Sequence, residues 1–395
     1  MAGPLTGFTV LDLTRVLSGP YCTMVLADLG ARVIKIELPS QGDDTRQWGP
    51  PFVGAESAYF LSINRNKESV TLDFKSAAGR GVLDRLAARA DVLAENFRPG
   101  TLERAGFGWE ALHARYPRLV YASISGYGQT GPRRNEAGYD AVMQAEGGLM
   151  SVTGDPDRPG YRMGVAITDM VAGLYTAQGV TAALLARERT GVGQRLDIGM
   201  LDTTAALLTY QAANWFATGN TPARLGNRHS TIAPYETFAT TDGEIVIAVG
   251  NDGIWRRFCP AMGLPALVDD SRFATNKDRM AHYDVLRPIL DRVFRTATCG
   301  AWLATLNAAG VPCGAVRNIG EVLADPQLEA REMVATMMHP TVGATRVIGS
   351  PIKLSDTPAS LRTAPPVLGQ HTEAVLAEFG YSTEEIAGFR RSRVV

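Results

Sequence analysis

The chain has 395 residues, 45% apolar and 20% charged, and its 39 Lys+Arg against 40 Asp+Glu leave a net charge of −1. This composition excludes a disordered tail, a small disulfide-stapled scaffold and a chain that binds nucleic acid or anionic lipid through broad charge. At about 150 residues per domain the length allows two or three domains.

Thr9–Leu13 (TVLDL) reads as a buried strand, Gly19–Leu29 as a helix ending at Gly30, and Arg32–Ile36 as a second strand. A strand, crossover helix and strand imply a parallel sheet with right-handed connection. The pattern repeats, with strands at Ser69–Asp73, Asp91–Ala94 and Leu119–Ser125 and helices at Gly79–Ala90 and Trp109–Tyr116. Strands alternating with helices predict a doubly wound α/β domain. A long helix over Asp169–Arg187, a strand at Arg195–Ile198 and a helix at Leu201–Thr218 follow.

Gly219–Pro234 is rich in Gly, Pro, Asn and Arg, has no period and reads as a linker. Beyond it Tyr235–Val249 predicts a hairpin around Asp242-Gly243. Helices are expected at 253–262 and 277–309, with PCGAV at 312–316 between that stretch and the tail. From about 330 short strands, a Pro-rich stretch and a helix at Gln370–Phe379 close the chain. The expected division is a large domain over 1–218, a linker over 219–234, a smaller domain over 235–325 and a return segment over 326–395.

The four cysteines (Cys22, Cys259, Cys299, Cys313) form no C-x-x-C pair, so a reducing cytosol is the expected compartment. Neither a signal peptide nor a membrane span is expected, because no long apolar run occurs. The five histidines show no metal-ligand spacing, and no metal site is expected. Nor is there a G-x-S-x-G nucleophile elbow.

An opening β-α-β unit suggests dinucleotide binding, but its turn, Thr14-Arg15-Val16-Leu17-Ser18-Gly19-Pro20, lacks the glycines that let backbone approach a pyrophosphate. Glu37 stands where a ribose-binding acid would, yet a solvated strand end explains it more simply. The G-x-G-x-x-G at Gly126–Gly131 leads into Pro132, not a helix, and reads as a loop. Lys75, Arg98 and Arg104 follow strand ends, where ligands dock in open parallel sheets. Cations there suit phosphate, though a solvated rim is the plainer reading. Asp169 opens a long apolar helix, so spacing alone makes it a helix-capping acid, kept ionised by the helix dipole as a carboxylate nucleophile must be. Asp140, after Gly138-Tyr139, is a second candidate acid.

From TVLDLTRVLSGPYC through GDDTRQWG, NRNKESVTLDFK, AENFRPGTLERAGFGWE, YASISGYGQTGP, AITDMVAGLYTAQG, GVGQRLDIGMLD, GVPCGAV and APPVLGQHT, the chain resembles the class III coenzyme A-transferases over nearly its whole length. That family includes formyl-CoA transferase, carnitine CoA-transferase and α-methylacyl-CoA racemase. The resemblance implies an α/β fold: a Rossmann-like large domain and a smaller α+β domain in an open-ring protomer, two of which interlock as a homodimer. It implies coenzyme A and acyl-CoA as substrates, no permanently bound cofactor, an organic acid as second substrate, and neither nucleic acid nor membrane as partner. The catalytic carboxylate falls on Asp169, overriding the capping role. Arg15, Val16, Leu72, Lys75, Asn96, Phe97, Arg98 and Arg104 fall on the coenzyme A side. Trp48, Tyr139, Asp140, Arg228 and His229 fall on the acid-substrate side.

Departures matter. Leu17, Leu38 and Ala137 stand where the formyl-CoA enzyme has polar or basic residues. Tyr139 replaces the racemase histidine, which disfavours racemisation. GNRHSTIAPY replaces a glycine run, which disfavours formate and oxalate and looks more like members acting on dicarboxylic acyl-CoAs. The expected activity is CoA transfer from an acyl-CoA, succinyl-CoA or another dicarboxylic ester, to a small carboxylic acid. The alternatives are an acyl-CoA racemase or isomerase and a non-catalytic CoA-binding protein.

Overall fold

The computed structural model describes residues 2–395. They form two compact units. The first holds the chain up to Leu149 together with Arg162–Ala217 and Pro326–Val395; the second holds Met150–Tyr161 and Thr218–Asp325. Residues 150–161, expected within the first domain, and the predicted linker thus cluster with the second unit.

The first unit is built on β1 (Thr9–Asp12), α1 (Ser18–Asp28), β2 (Arg32–Glu37), β3 (Lys67–Thr71), α2 (Ala77–Ala87), β4 (Val92–Glu95), β5 (Val120–Ser125), α3 (Asp140–Glu146), α4 (Ile167–Thr190) and β6 (Arg195–Gly199). The strands lie in the order β3-β2-β1-β4-β5-β6, every pairing parallel. This is the doubly wound arrangement, whose order reverses between β1 and β4, and such sheets bind ligands beyond the strand ends at that reversal. Alternate residues feed opposite faces. Leu11, Ile34 and Leu93 pack on one side with Val82 and Leu86 of α2 and Leu376 of the C-terminal segment. Val10, Val33 and Val92 pack on the other with Leu26 of α1 and Val180 and Leu184 of α4. Both faces are covered, which is why the central strands bury apolar residues on both sides and do not simply alternate.

The return segment is stitched to edge strand β3. Ser69 N donates to His371 Nδ1 at 3.1 Å, Thr71 N to Thr372 Oγ1 at 3.0 Å, and Asn66 Nδ2 to Ser360 O at 2.8 Å. Val334–His339 and Gly343–Ile348 form an antiparallel pair. A final helix at Thr383–Arg391, not foreseen from the sequence, starts with a capping box between Ser382 and Glu385.

In the second unit Tyr235–Ala239, Glu244–Ala248 and Cys313–Ala315 form a three-stranded antiparallel sheet. The Asp-Gly hairpin is where the sequence puts it, and Cys313 starts the third strand. The apolar stretch expected as one helix over 277–309 is three: Asn276–Ala281, Tyr283–Phe294 and Cys299–Ala308. Thr298 starts the last by accepting from Ala301 N. Likewise 201–218 is two helices, Met200–Ala206 and Thr209–Thr218, separated where Thr209 takes φ 36°. Among the described residues no helix is long and apolar enough to cross a membrane, and no group of three or more His, Cys, Asp or Glu side chains could hold a metal ion.

Candidate active site

Beyond the C-terminal ends of β1 to β4 in the first unit lies a cleft of about 530 Å³. Leu13 and Thr14 follow β1, Leu38 follows β2, Phe74 and Lys75 follow β3, and Phe97 and Arg98 follow β4; all line it. Arg15, Lys75, Arg80, Arg98 and Arg104 bring positive charge to it. Its two acids are already engaged. Asp43 is paired with Lys35 at 2.9 Å, and Glu37 accepts from Arg46 Nε and Nη2 at 2.7 and 2.8 Å and from Ser69 Oγ at 2.6 Å. Glu37 therefore has no carboxylate oxygen to spare for a ribose. The field left over is cationic, as a polyphosphate ligand needs.

A smaller recess of about 170 Å³ shares Arg15, Phe97 and Arg98 with the cleft and is also lined by Val16, Ser18, Gly138, Tyr139 and Asp169. Asp169 is in the first turn of α4, but the helix begins at Ile167 and the cap residue, Ala166, makes no side-chain cap. Asp140 supplies that cap: its Oδ1 accepts from Thr168 N at 3.0 Å and Thr168 Oγ1 at 2.8 Å, while its Oδ2 accepts from Gln144 Nε2 at 2.7 Å. The capping task expected of Asp169 thus belongs to Asp140, which is 8% exposed, committed to the protein and absent from the recess lining.

Asp169 is freed for another role. It is 9% exposed and lines the recess together with Ser18, the first residue of α1, whose N–H and hydroxyl favour its ionised form. Burial, then the neighbouring Asp140 carboxylate, push its pKa up to about 7 against the pull of the Ser18 donors. This corrects the expectation that the helix dipole simply keeps it ionised: desolvation and a like charge outweigh the dipole. A buried carboxyl poised near neutrality beside a cationic cleft marks a functional site. Tyr59 senses it too; burial first, then Asp169 and Asp140, hold its phenol up at about 12.

This geometry fixes a pH dependence. An attacking carboxylate must be ionised, so kcat/KM should rise with an acid limb centred at about pH 7. Asp140→Asn keeps an acceptor for Thr168 and removes the like charge, so the limb should move to lower pH; an unmoved limb would contradict the coupling. The linked stability has the opposite sense: Asp169's contribution is complete below its unfolded value, 3.8, and is lost as pH rises through about 7.

Of the residues expected on the coenzyme A side, all but Leu72 line the two cavities. Leu72 is fully buried in the core beneath β3 and lines neither. Asn96 lines the recess, yet its amide is spent on the turn, accepting from Arg15 N at 2.8 Å and donating to Arg15 O at 2.7 Å. Tyr139 lines the recess and is 63% exposed. Trp48 lines neither cavity; its ring meets Tyr59 edge-on with centroids 5.2 Å apart. Arg228 and His229 belong to the second unit, where the Arg228 guanidinium stacks 4.4 Å from the centre of the Tyr283 ring. Two residues that the sequence reading passed over are placed at the site: Arg80 in the cleft and Ser18 on Asp169. Ser18, just before Gly-Pro at a helix start, carried the signal of a donor at that turn.

The pattern of CoA-transferase family III matches residues 5–372. The human succinyl-CoA:glutarate CoA-transferase is 44% identical over 375 residues, covering 95% of this chain and 86% of that protein. The acetyl-CoA:oxalate CoA-transferase of Acetobacter aceti is 43% identical over 95% of this chain and 96% of its own length. A crystal structure of a CaiB/BaiF family protein from Brucella suis is 41% identical and superposes with a TM-score of 0.86, covering 96% of this chain and 100% of that one.

Proposed function

This chain belongs to CoA-transferase family III and is a CoA-transferase, and on that premise we propose that it moves coenzyme A between dicarboxylic acids with Asp169 as covalent carrier. The observation that carries this reading is the Asp169 carboxyl itself: buried in the recess beside Ser18, with Arg15 and Arg98 shared between that recess and the cationic cleft. The cleft would take the phosphates of coenzyme A on Lys75, Arg80, Arg98 and Arg104, with the thioester reaching the recess past Phe97.

Ionised Asp169 attacks the thioester carbonyl, forming an acyl-aspartyl anhydride and expelling CoA thiolate. The thiolate attacks the aspartyl carbonyl, releasing the donor acid and leaving an aspartyl-CoA thioester. The acceptor carboxylate attacks that carbonyl, forming a new acyl-aspartyl anhydride and expelling CoA thiolate. Thiolate attack on the acceptor's acyl carbon then frees acceptor acyl-CoA and Asp169. No bond energy is surrendered to water, provided the recess stays closed to it.

The named substrates of the relatives, succinate, glutarate and oxalate, support diacids as the class. They also keep oxalate in range, despite the absent glycine run. We place the enzyme in the cytosol as an interlocked homodimer without resident cofactor; Leu174 and Tyr175, 45% and 44% exposed on α4, support a partner covering that helix.

Succinyl-CoA, borohydride and peptide mapping test the reading: the aspartyl thioester should be reduced to homoserine at position 169. Product accumulation with Asp169 unmarked would overturn it. Assay against oxalate, succinate, glutarate and monoacids then defines the acceptor.

A further inference from the structure

The turn Thr14–Leu17, between β1 and α1, is held by side chains from separate places in the fold. Lys35 Nζ, from β2, donates to Thr14 O at 2.9 Å. Asn96 brackets Arg15 through both its backbone N–H and carbonyl. Asp43 Oδ1 accepts from Val16 N at 3.2 Å and also from Thr45 N and Thr45 Oγ1 at 3.0 and 2.8 Å. Lys35 and Asp43 are joined at 2.9 Å, and both side chains are wholly buried. Val16 itself has φ 68°. Left-handed backbone is a rare and disfavoured state for a β-branched residue, and it persists only where the surroundings impose it. Two residues later Ser18 lines the same recess as Asp169, where its N–H and hydroxyl favour the ionised carboxylate.

We propose that the buried Lys35–Asp43 ion pair is a positioning device for the nucleophile: it clamps the 14–17 turn with Val16 left-handed, and so aims the Ser18 donors at the Asp169 carboxylate. This rests on Asp169 being the covalent carrier. A buried ion pair gives little stability over an apolar pair of the same volume. An apolar pair, however, offers no acceptor for Val16 N and no donor for Thr14 O, and the charges make both contacts at once. The pair is embedded among other charges, with Asp12 and Lys67 on the neighbouring strands and Glu37 on β2 itself. It is thus fixed on several sides and can serve as a rigid post. Lys35 and Asp43 touch no reacting atom; they act through the turn.

The test is the single-turnover rate at which succinyl-CoA marks Asp169, read by borohydride trapping, alongside KM and Tm. Asp43→Asn should slow marking by at least about tenfold while KM for succinyl-CoA changes by less than about threefold, as misaimed groups lose rate more than binding. Glycine holds φ 68° unaided. In a Val16→Gly background the same Asp43→Asn change should therefore cost less than about threefold, measured against Val16→Gly alone. Equal losses in both backgrounds, or a lowered Tm with an unchanged marking rate, would overturn the proposal and leave the pair merely structural. Should Asp43→Asn fail to fold, Lys35→Gln, which keeps an amide donor for Thr14 O, is read the same way. Wild-type enzyme that turns over with no mark on Asp169 would instead bring down the covalent reading, a result distinct from a mark that forms equally fast in the variant.

Discussion

Asp169→Asn and Asp169→Ala are each expected to cut CoA transfer by more than about a hundredfold while leaving CoA affinity within about tenfold, because the group lost makes bonds and contributes little to binding. Steady-state transfer and isothermal titration with CoA check the two halves. The cleft that would hold the ligand's phosphates draws its charge from Lys75, Arg80, Arg98 and Arg104, none of them a partner of Asp169. Binding and bond-making are therefore separable by substitution. Removing the carboxylate also relieves the repulsion from Asp140 and the burial of a charge, so both variants should be at least as stable as the wild type above pH 7. Turnover above a hundredth of wild type would end the nucleophile assignment. Retained hydrogen exchange at the α-carbon of a 2-methylacyl-CoA, with no acceptor acid present, would revive the racemase alternative.

The sequence made the sheet legible because both its faces are buried. Strands such as RVIKI and LVYASIS are then apolar runs, and crossover helices between them leave few topologies. The breaks inside long apolar stretches were less legible. At His282 and Thr298 the composition stays helical, and only backbone geometry and a single Thr cap divide the run. At the site, strand-end cations were visible from position alone. The division of labour between two acids was not, since it depends on Asp140 crossing 28 residues of sequence to cap α4. Spacing favoured Asp169 as the cap; resemblance alone pointed past it. Glu95 is a similar case. It closes β4, one residue past the strand expected at Asp91–Ala94, and burial pushes its pKa up to about 7 while it accepts from Phe97 N at 2.8 Å. Leu72 failed for a related reason: a matched position identifies a stretch of backbone, but the side chain there points into the core.

Gly173→Ala is expected to be a strongly damaging single-methyl change near the site. Gly173 lies four residues after Asp169, on the same face of α4, and both meet the start of α1. A Cβ at 173 would sit 2.5 Å from Ser18 O and 3.3 Å from Cys22 N. Those are backbone atoms, so no side-chain rotation relieves the clash; α1 must move away from α4. The residue displaced is the one that lines the recess beside Asp169 and favours its ionised form. In an ordinary helix interior Gly→Ala stabilises by about 0.5–1 kcal/mol. Gly81→Ala in α2, where an added Cβ meets nothing within 4 Å, should show that gain as a higher Tm. At 173 the sign should reverse, with overpacking costing about 1–3 kcal/mol. A misplacement near 1 Å at the nucleophile should lower kcat on the order of a hundredfold, well beyond any loss of folded protein. If Gly173→Ala instead kept full turnover with the Tm gain seen at Gly81, the close approach of α1 to α4 would have no part in holding Asp169.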